Sequence, residues 1–404
     1  MGYIDLFAGA GGLSEGFMRE GFEPVAHIEK DHYACQTIKT RLAYHYLNEN
    51  DRLDEYKEYL LGNISQKKFY DLIPEDVLKT VINREISNET LEGLFGTIDK
   101  KLDSDDLDLI VGGPPCQAYS AASAHIEDKN EDLIYLYELY GEFLRHYEPQ
   151  MFVFENVPGL YNADGGKYYK GLKECFDEAG YLLDDKKLDS SKFNVPQKRK
   201  RVIIVGWRKD LDLEYPNFEE IEVNTTINKL LADLPPLKAG ESINVGEYNR
   251  EANDYVNKQI RNGIDLFTHH IARPHNEQDL NIYEMAIKAW NENEVRLKNS
   301  DIPKEMRTQK NTSSFLDRFK VVDGEGLSHT MIAHIAKDGH YYIHPDIDQL
   351  RSLSVREAAR IQSFPDDYYF EGPRTSVFTQ IGNAVPPLLA QSIAKGIKEM
   401  INVR

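Results

Sequence analysis

The chain is poor in cysteine, with Cys35, Cys116 and Cys175 alone among 404 residues and widely spaced. No CxxC pair and no Cys/His cluster stands at zinc-ligand spacing, so neither a disulfide framework nor a structural metal is expected. Long apolar runs are missing too. Nothing approaches the roughly 18 consecutive apolar residues of a membrane span. Met1 leads straight into a strand-like YIDLF, without a basic segment, apolar stretch or cleavage site, which predicts a cytoplasmic protein with no membrane partner. Positive charge is scarce: 48 Lys and Arg against 67 Asp and Glu give a formal net charge of −19. Over the whole chain this opposes a nucleic-acid partner, because phosphate binding needs a positive surface. The deficit is uneven, however. Between Lys186 and Arg208 eight basic residues stand against Asp189 alone, so an acidic protein can still hold a basic groove. Aromatics are plentiful, with 24 Tyr and 17 Phe, which excludes a disordered chain, and the length suits two or three domains.

The first half has the rhythm of a doubly wound α/β domain. A strand (Tyr3–Phe7), a glycine-rich turn and a helix pattern (Leu13–Glu20) lead into a second strand, Pro24–Ile28. Residues 44–106 are charged and helix-like with little strand pattern, and read as an elaborated crossover or insertion. Short apolar strands recur at Leu107–Val111, Met151–Glu155 and Arg201–Val205, as parallel strands buried on both faces should. From about Lys209 the texture turns polar and a second domain begins. TTINKLLADLPPL and THHIARPHN read as joints between the domains. His269, His270, Arg273, His275 and His329 fall in this stretch and are read as solvated surface, none of them as a base reader. Ser354 followed by Glu357 has the capping-box spacing of a helix start, and a last helix spans Pro387–Ile401.

Four segments carry chemistry. In IDLFAGAGG, Gly9, Gly11 and Gly12 bring backbone close to a ligand and present helix N-terminal N–H groups to an anion, while Glu29, at the end of the second strand, suits ribose hydroxyls. The spacing departs from GxGxxG, so a cofactor with a carboxylate and a ribose is more natural than a pyrophosphate. In GGPPCQAYS, two glycines and two prolines build a stiff turn with Cys116 at its tip, whereas Cys35 and Cys175 suit core positions in helices. FVFENVPGL places Glu155 at the same sheet edge, and a thiol beside a carboxyl suits a nucleophile with a hydrogen-bonding acid. In VPQKRKRVIIVG, alternation puts Gln197, Arg199 and Arg201 on one face, read as substrate and phosphate anchors whose positive field favours a thiolate.

Taken in order, these segments resemble the cytosine-5 DNA methyltransferase family. FAGAGGLSEGF resembles its first cofactor motif, GGPPCQAYS the nucleophile motif, FVFENVPGL the acid motif and QKRKRVIIVG the arginine motif. RSLSVREAARIQSFPDDYYF resembles the penultimate motif and QIGNAVPPLLA the closing one. The resemblance implies a Rossmann-like S-adenosylmethionine-dependent methyltransferase domain, 1–208 plus 366–404, and a smaller target-recognition domain, 209–365. It implies that Cys116 adds to C6 of a cytosine flipped out of double-stranded DNA while Glu155 donates to N3, with Gln197 and Arg199 holding the catalytic loop and the nucleotide and Arg199 and Arg201 near the thiol they help to activate. S-adenosylmethionine, leaving as S-adenosylhomocysteine, would sit among Phe7, Gly9, Gly11, Leu13 and Pro114, with Glu29 on its ribose and Leu136, Asn383 and Val385 lining the pocket. Asn63, in LGNIS, is the expected adenine contact at the end of the third strand, with GTID as the rival alignment. A monomer suffices, and a cognate restriction endonuclease is a natural partner.

Departures are local. Ala118 and Tyr119 stand where the family usually has Gly-Phe, and the expected Arg-Asn pair is missing from DKNEDLIYLY. Asn194 replaces a glycine before Val-Pro-Gln, which requires a residue that tolerates positive φ. At this level an RNA cytosine-5 methyltransferase and a catalytically silent DNA-binding regulator remain alternatives, although the long variable stretch favours DNA and the regulator would be expected to lack Cys116, Glu155 or Arg199. The opening βαβ unit alone would also permit an NAD-dependent oxidoreductase.

Overall fold

Seven strands form the central sheet in the computed structural model, which describes residues 1–102, 107–115, 136–248, 250–261, 263–307 and 316–402. They are β1 (Gly2–Leu6), β2 (Glu23–Glu29), β3 (Val81–Asn83), β4 (Leu109–Gly112), β5 (Met151–Asn156), β6 (Tyr181–Asp189) and β8 (Lys200–Arg208), in the order β3-β2-β1-β4-β5-β8-β6. A two-residue strand, β7 (Gln197–Lys198), pairs instead with Ser328–His329. The chain winds outward from β1 to β3 and returns on the other side of β1 as β4, so the order reverses between β1 and β4. In open α/β sheets, ligands bind outside the strand carboxyl ends at such a reversal.

Side chains of alternate residues go to opposite faces. Ile4, Leu6, Ile110, Phe152 and Phe154 pack under the helices Leu136–Tyr147 and Lys167–Glu178. Tyr3, Leu109, Val111, Met151 and Val153 pack under the helices Gly12–Arg19 and Pro387–Asn402. The last two helices meet through a glycine notch: a Cβ on Gly12 would stand 2.3 Å from the Val385 carbonyl, and one on Gly16 2.3 Å from the Gln391 nitrogen. The closing segment therefore seals the glycine turn that opens the chain.

The structure corrects two expectations and adds a strand. Residues 44–106 contain β3, only three residues long, so the third strand lies at Val81–Asn83 and not at LGNIS or GTID, which fall in a turn and a helix. The strand β6 has no apolar alternation to mark it, because it is half solvated and carries four charged residues in a row, Asp184, Asp185, Lys186 and Lys187. The strand at Arg201–Val205 belongs to β8, which runs antiparallel to both neighbours. Only residues 190–199 join β6 to β8, too few for the crossover that parallel pairing demands.

Beyond the sheet, the antiparallel hairpin β9 (Ser242–Glu247) and β10 (Leu266–Ile271) and the helix Val355–Ile361 share an apolar core with Phe364, Tyr368, Val377 and Ile381. Ala10 of the glycine turn belongs to that core too, and Tyr368 Oη donates to its carbonyl. Ser354 and Glu357 form the expected capping box. Helices within 53–79 pack Tyr56, Leu60 and Phe69 against Ile264 and Leu266, so this segment buttresses the β9–β10 pair. No helix among the described residues is long and apolar enough to cross a membrane.

Candidate active site

At the end of β1 the chain turns through three positive φ angles, Phe7 at 58°, Gly9 at 55° and Gly11 at 77°. A phenylalanine in this region is strained, a cost that folded proteins usually carry where a site requires it. A Cβ built on Gly9 meets nothing within 4 Å, so the turn borders open space. Leu13 is buried in the helix behind it, whose first N–H groups lack intrahelical acceptors. Glu29 braces the turn from β2: its Oε2 accepts from the Gly9 N–H and its Oε1 from the Asp31 N–H, both at 2.8 Å. These groups fit a cofactor with a carboxylate for the helix end and hydroxyls for Glu29.

Asn63 takes no part in this edge. It is exposed in the turn after the helix Leu53–Leu60, where its Nδ2 donates to Glu58 at 3.0 Å. Asn83, which sequence reasoning missed, occupies the end of the true third strand opposite Glu29 and donates to the Glu29 and Lys30 carbonyls. A short apolar pair ending in Asn was its only signal. Leu136 is buried at the start of its helix. Val385 is buried against Gly12, and Asn383 is exposed at the end of the helix Arg374–Asn383.

Across β4 lies the second part of the site. Gly112 presses on the Leu6 carbonyl, with room for no Cβ, and Gly113 lies beneath Glu155, whose Oε2 would be 2.6 Å from a Cβ there. The Asn156 amide donates to the Pro114 carbonyl at 3.2 Å, fixing the Pro-Pro turn to the end of β5. Cys116 and Ala118–Ser120 lie outside the described residues. Cys35 and Cys175 are buried, and burial pushes the Cys35 thiol up to about 12. Glu155 Oε1 receives Arg201 Nε at 2.7 Å, with both side chains nearly buried.

The alternation read from the arginine segment appears as exposure: Gln197, Arg199 and Arg201 are buried, while Lys198 and Lys200 are exposed. Asn194 adopts φ 59°, the conformation expected of it. His269 and His270 are buried rather than solvated. His270 bonds Ser354 and the Pro235 carbonyl, which ties the two expected joints together. Arg273 donates to the carbonyls of Ile335, Ala336 and Lys337. Leu266, Phe267, Ile271 and Ala272 flank the histidines and were the local signal of burial, whereas their hydrogen-bond partners come from distant segments.

The model of C-5 cytosine-specific DNA methylases matches residues 1–73 and 77–399. The chain belongs to that family. It is 42% identical to the type II methyltransferase M.Bpa9945I of Bacillus paralicheniformis, with 99% of each chain covered. To M.DdeI of Desulfomicrobium norvegicum it is 30% identical, over 98% of this chain and 88% of that one. Among solved structures, a prophage-encoded Escherichia coli protein assigned as a DNA modification methyltransferase superposes with a TM-score of 0.66 at 20% identity, covering 100% and 99% of the two chains. The Entamoeba histolytica methyltransferase EhMeth superposes with a TM-score of 0.56 at 11% identity, covering 99% and 98%. These two likenesses concern the fold. Family membership makes this chain a DNA cytosine-5-methyltransferase of restriction–modification type, working with S-adenosylmethionine.

Proposed function

We propose that the chain methylates C5 of a cytosine flipped out of double-stranded DNA at a specific sequence, through a covalent bond from the Cys116 sulfur to cytosine C6. The observation that carries this reading is the Glu155–Arg201 pair at 2.7 Å, separated from the glycine turn by β4 alone and on the same sheet edge as the turn that leads to Cys116. Bound S-adenosylmethionine supplies the methyl group.

The chain's own residues do the rest. Cytosine C5 is a weak nucleophile; addition of the Cys116 thiolate to C6, with Glu155 donating a proton to N3, makes C5 electron-rich. Arg201 occupies Oε1 of Glu155, which leaves Oε2, above Gly113, to carry that proton. After methylation water takes the C5 proton, the C5=C6 double bond re-forms as the Cys116 thiolate leaves, and N3 returns its proton to the Glu155 carboxylate. Phe7, Gly9, Gly11, Leu13 and Pro114 surround the cofactor, with Glu29 at its ribose and Leu136, Asn383 and Val385 at the pocket wall. The end of β3, at Asn83, takes the adenine position. Residues 1–208 with 366–404 form the catalytic part and 209–365 read the sequence, in a cytoplasmic monomer that protects host DNA from a cognate endonuclease.

Nucleoside mass spectrometry tests this on DNA from a methylation-free bacterial host expressing the chain or its Cys116→Ala variant. We expect 5-methylcytosine with the intact cysteine only, and sequencing of the modified sites gives the target. Soluble protein with unmodified DNA, or modification surviving Cys116→Ala, would overturn the reading; 5-methylcytosine in RNA instead would reassign the substrate.

A further inference from the structure

Arg199 and Arg201 lie two residues apart on one face, yet the structure gives them different surroundings. Arg201 reaches Glu155. Arg199 is fully buried in a cage of carbonyls from distant segments: its guanidinium donates to Met331 O, to Gly382 O at 3.3 Å and to Ala384 O at 3.0 Å. Gln197 completes the clamp, accepting from the Met331 N–H at 2.6 Å and donating to Gln362 Oε1 at 2.7 Å. Both backbone polar groups of Met331, in the second lobe (the 209–365 part proposed to read sequence), are thus held by side chains of the catalytic half (1–208 with 366–404).

The clamp is reinforced by backbone. Ser328–His329 pairs with Gln197–Lys198, Thr330 Oγ1 donates to the Lys198 carbonyl at 2.8 Å, and a Cβ on Gly382 would stand 2.3 Å from Ala333 N. Immediately beyond the clamped peptide Ile332 is 43% exposed, so the held segment ends at the molecular surface.

We propose that Arg199 is a positioning residue, a bolt that fixes the 328–336 edge of the second lobe against the catalytic half and so sets the cleft that receives DNA, and not a ligand for phosphate. A phosphate could reach this guanidinium only by displacing the three carbonyls and opening a buried charge, which is costly. The cleft's role rests on the function proposed above; the bolt itself does not.

The test is hydrogen exchange on the full chain, wild type and Arg199→Lys, since lysine keeps the charge but cannot span the three carbonyls. Amides of 328–336 should exchange about tenfold faster while those of β1 and β5 stay as they were, the loss of one or two hydrogen bonds. With a duplex carrying the mapped site, Kd for DNA and KM should rise about tenfold, with kcat and S-adenosylmethionine affinity within about twofold and an unchanged slope of log Kd against log salt. Unchanged exchange would overturn the proposal. So would a salt slope reduced by about 0.9 in Arg199→Gln, which removes the charge and with it any phosphate contact. Gly382→Ala pushes on Ala333 without altering charge and should reproduce the faster exchange and weaker DNA binding; it decides the matter if Arg199→Lys does not fold. If the wild type binds no DNA, the proposed function falls, while the exchange result still judges the bolt.

Discussion

Gly113→Ala separates the position of Glu155 from its chemistry. The added Cβ would stand 2.6 Å from Glu155 Oε2, whereas ordinary contact begins near 3.4 Å, so the carboxyl must retreat by about 0.8 Å. It cannot swing away freely, because Arg201 holds Oε1 at 2.7 Å and is itself tied to the Lys200 carbonyl. Gly113 is not among the glycines at positive φ, so alanine suits its backbone and the fold should survive. A catalytic group misplaced by about 1 Å loses on the order of 10²-fold in rate, equivalent to about 2.7 kcal/mol. Methyl transfer at saturating DNA and cofactor should therefore show kcat lowered about a hundredfold, with a melting temperature within about 2 °C of wild type. Combined with Glu155→Gln the losses should not multiply, since both act on one proton. A wild-type kcat in Gly113→Ala, or full multiplication in the double variant, would refute the placement of Glu155 as the proton donor.

Two further predictions concern stability. Arg351 grips both oxygens of Glu357 at 2.7 Å in the core, and although burial alone would raise that carboxyl's pKa, Arg351 holds it well below the usual range. Glu357→Gln should cost about 3–5 kcal/mol in urea unfolding at pH 7, a penalty that shrinks as pH falls below roughly 4; a loss under about 1 kcal/mol would contradict a buried charge pair. Burial lowers His27 and His269 to about 3 and His344 to about 4, so each stays neutral where the unfolded chain takes up a proton. Stability should fall as pH drops below about 6.5, by about 1.4 kcal/mol per pH unit for each histidine, and His269→Gln should remove one such contribution; an unaltered slope in that variant excludes it.

Much of the sheet was legible because β1, β2, β4 and β5 are apolar, short and punctuated by glycine or proline. The lone three-residue β3 has too little pattern to outweigh the helical segments around it, and Asn63 was placed at the sheet edge for that reason. The direction of β8 depends on the length of its connection, which apolar pattern does not report. The rim of the site was legible residue by residue, since Gly9, Glu29, Glu155 and Arg201 each sit at a strand end or on an alternating face. Long-range partners were not. Nothing local to Arg199 announces the carbonyls of Met331 and Gly382, and nothing local to His270 announces Pro235. Those contacts join residues more than 30 positions apart, so they exist only once the lobes meet.

The notch between Gly12 or Gly16 and the Val385–Gln391 segment also bears on the order of synthesis. The glycine turn leaves the ribosome long before the helix that seals it. Until then Leu13, Phe17 and one face of the sheet lack the cover of Leu389, Ile393 and Ile397, and the nascent chain carries a sticky apolar surface of the kind chaperones shield. An unfinished chain therefore has no closed pocket behind its glycine turn, and translation broken off before the final helix should yield fragments that neither hold the cofactor nor modify the genome.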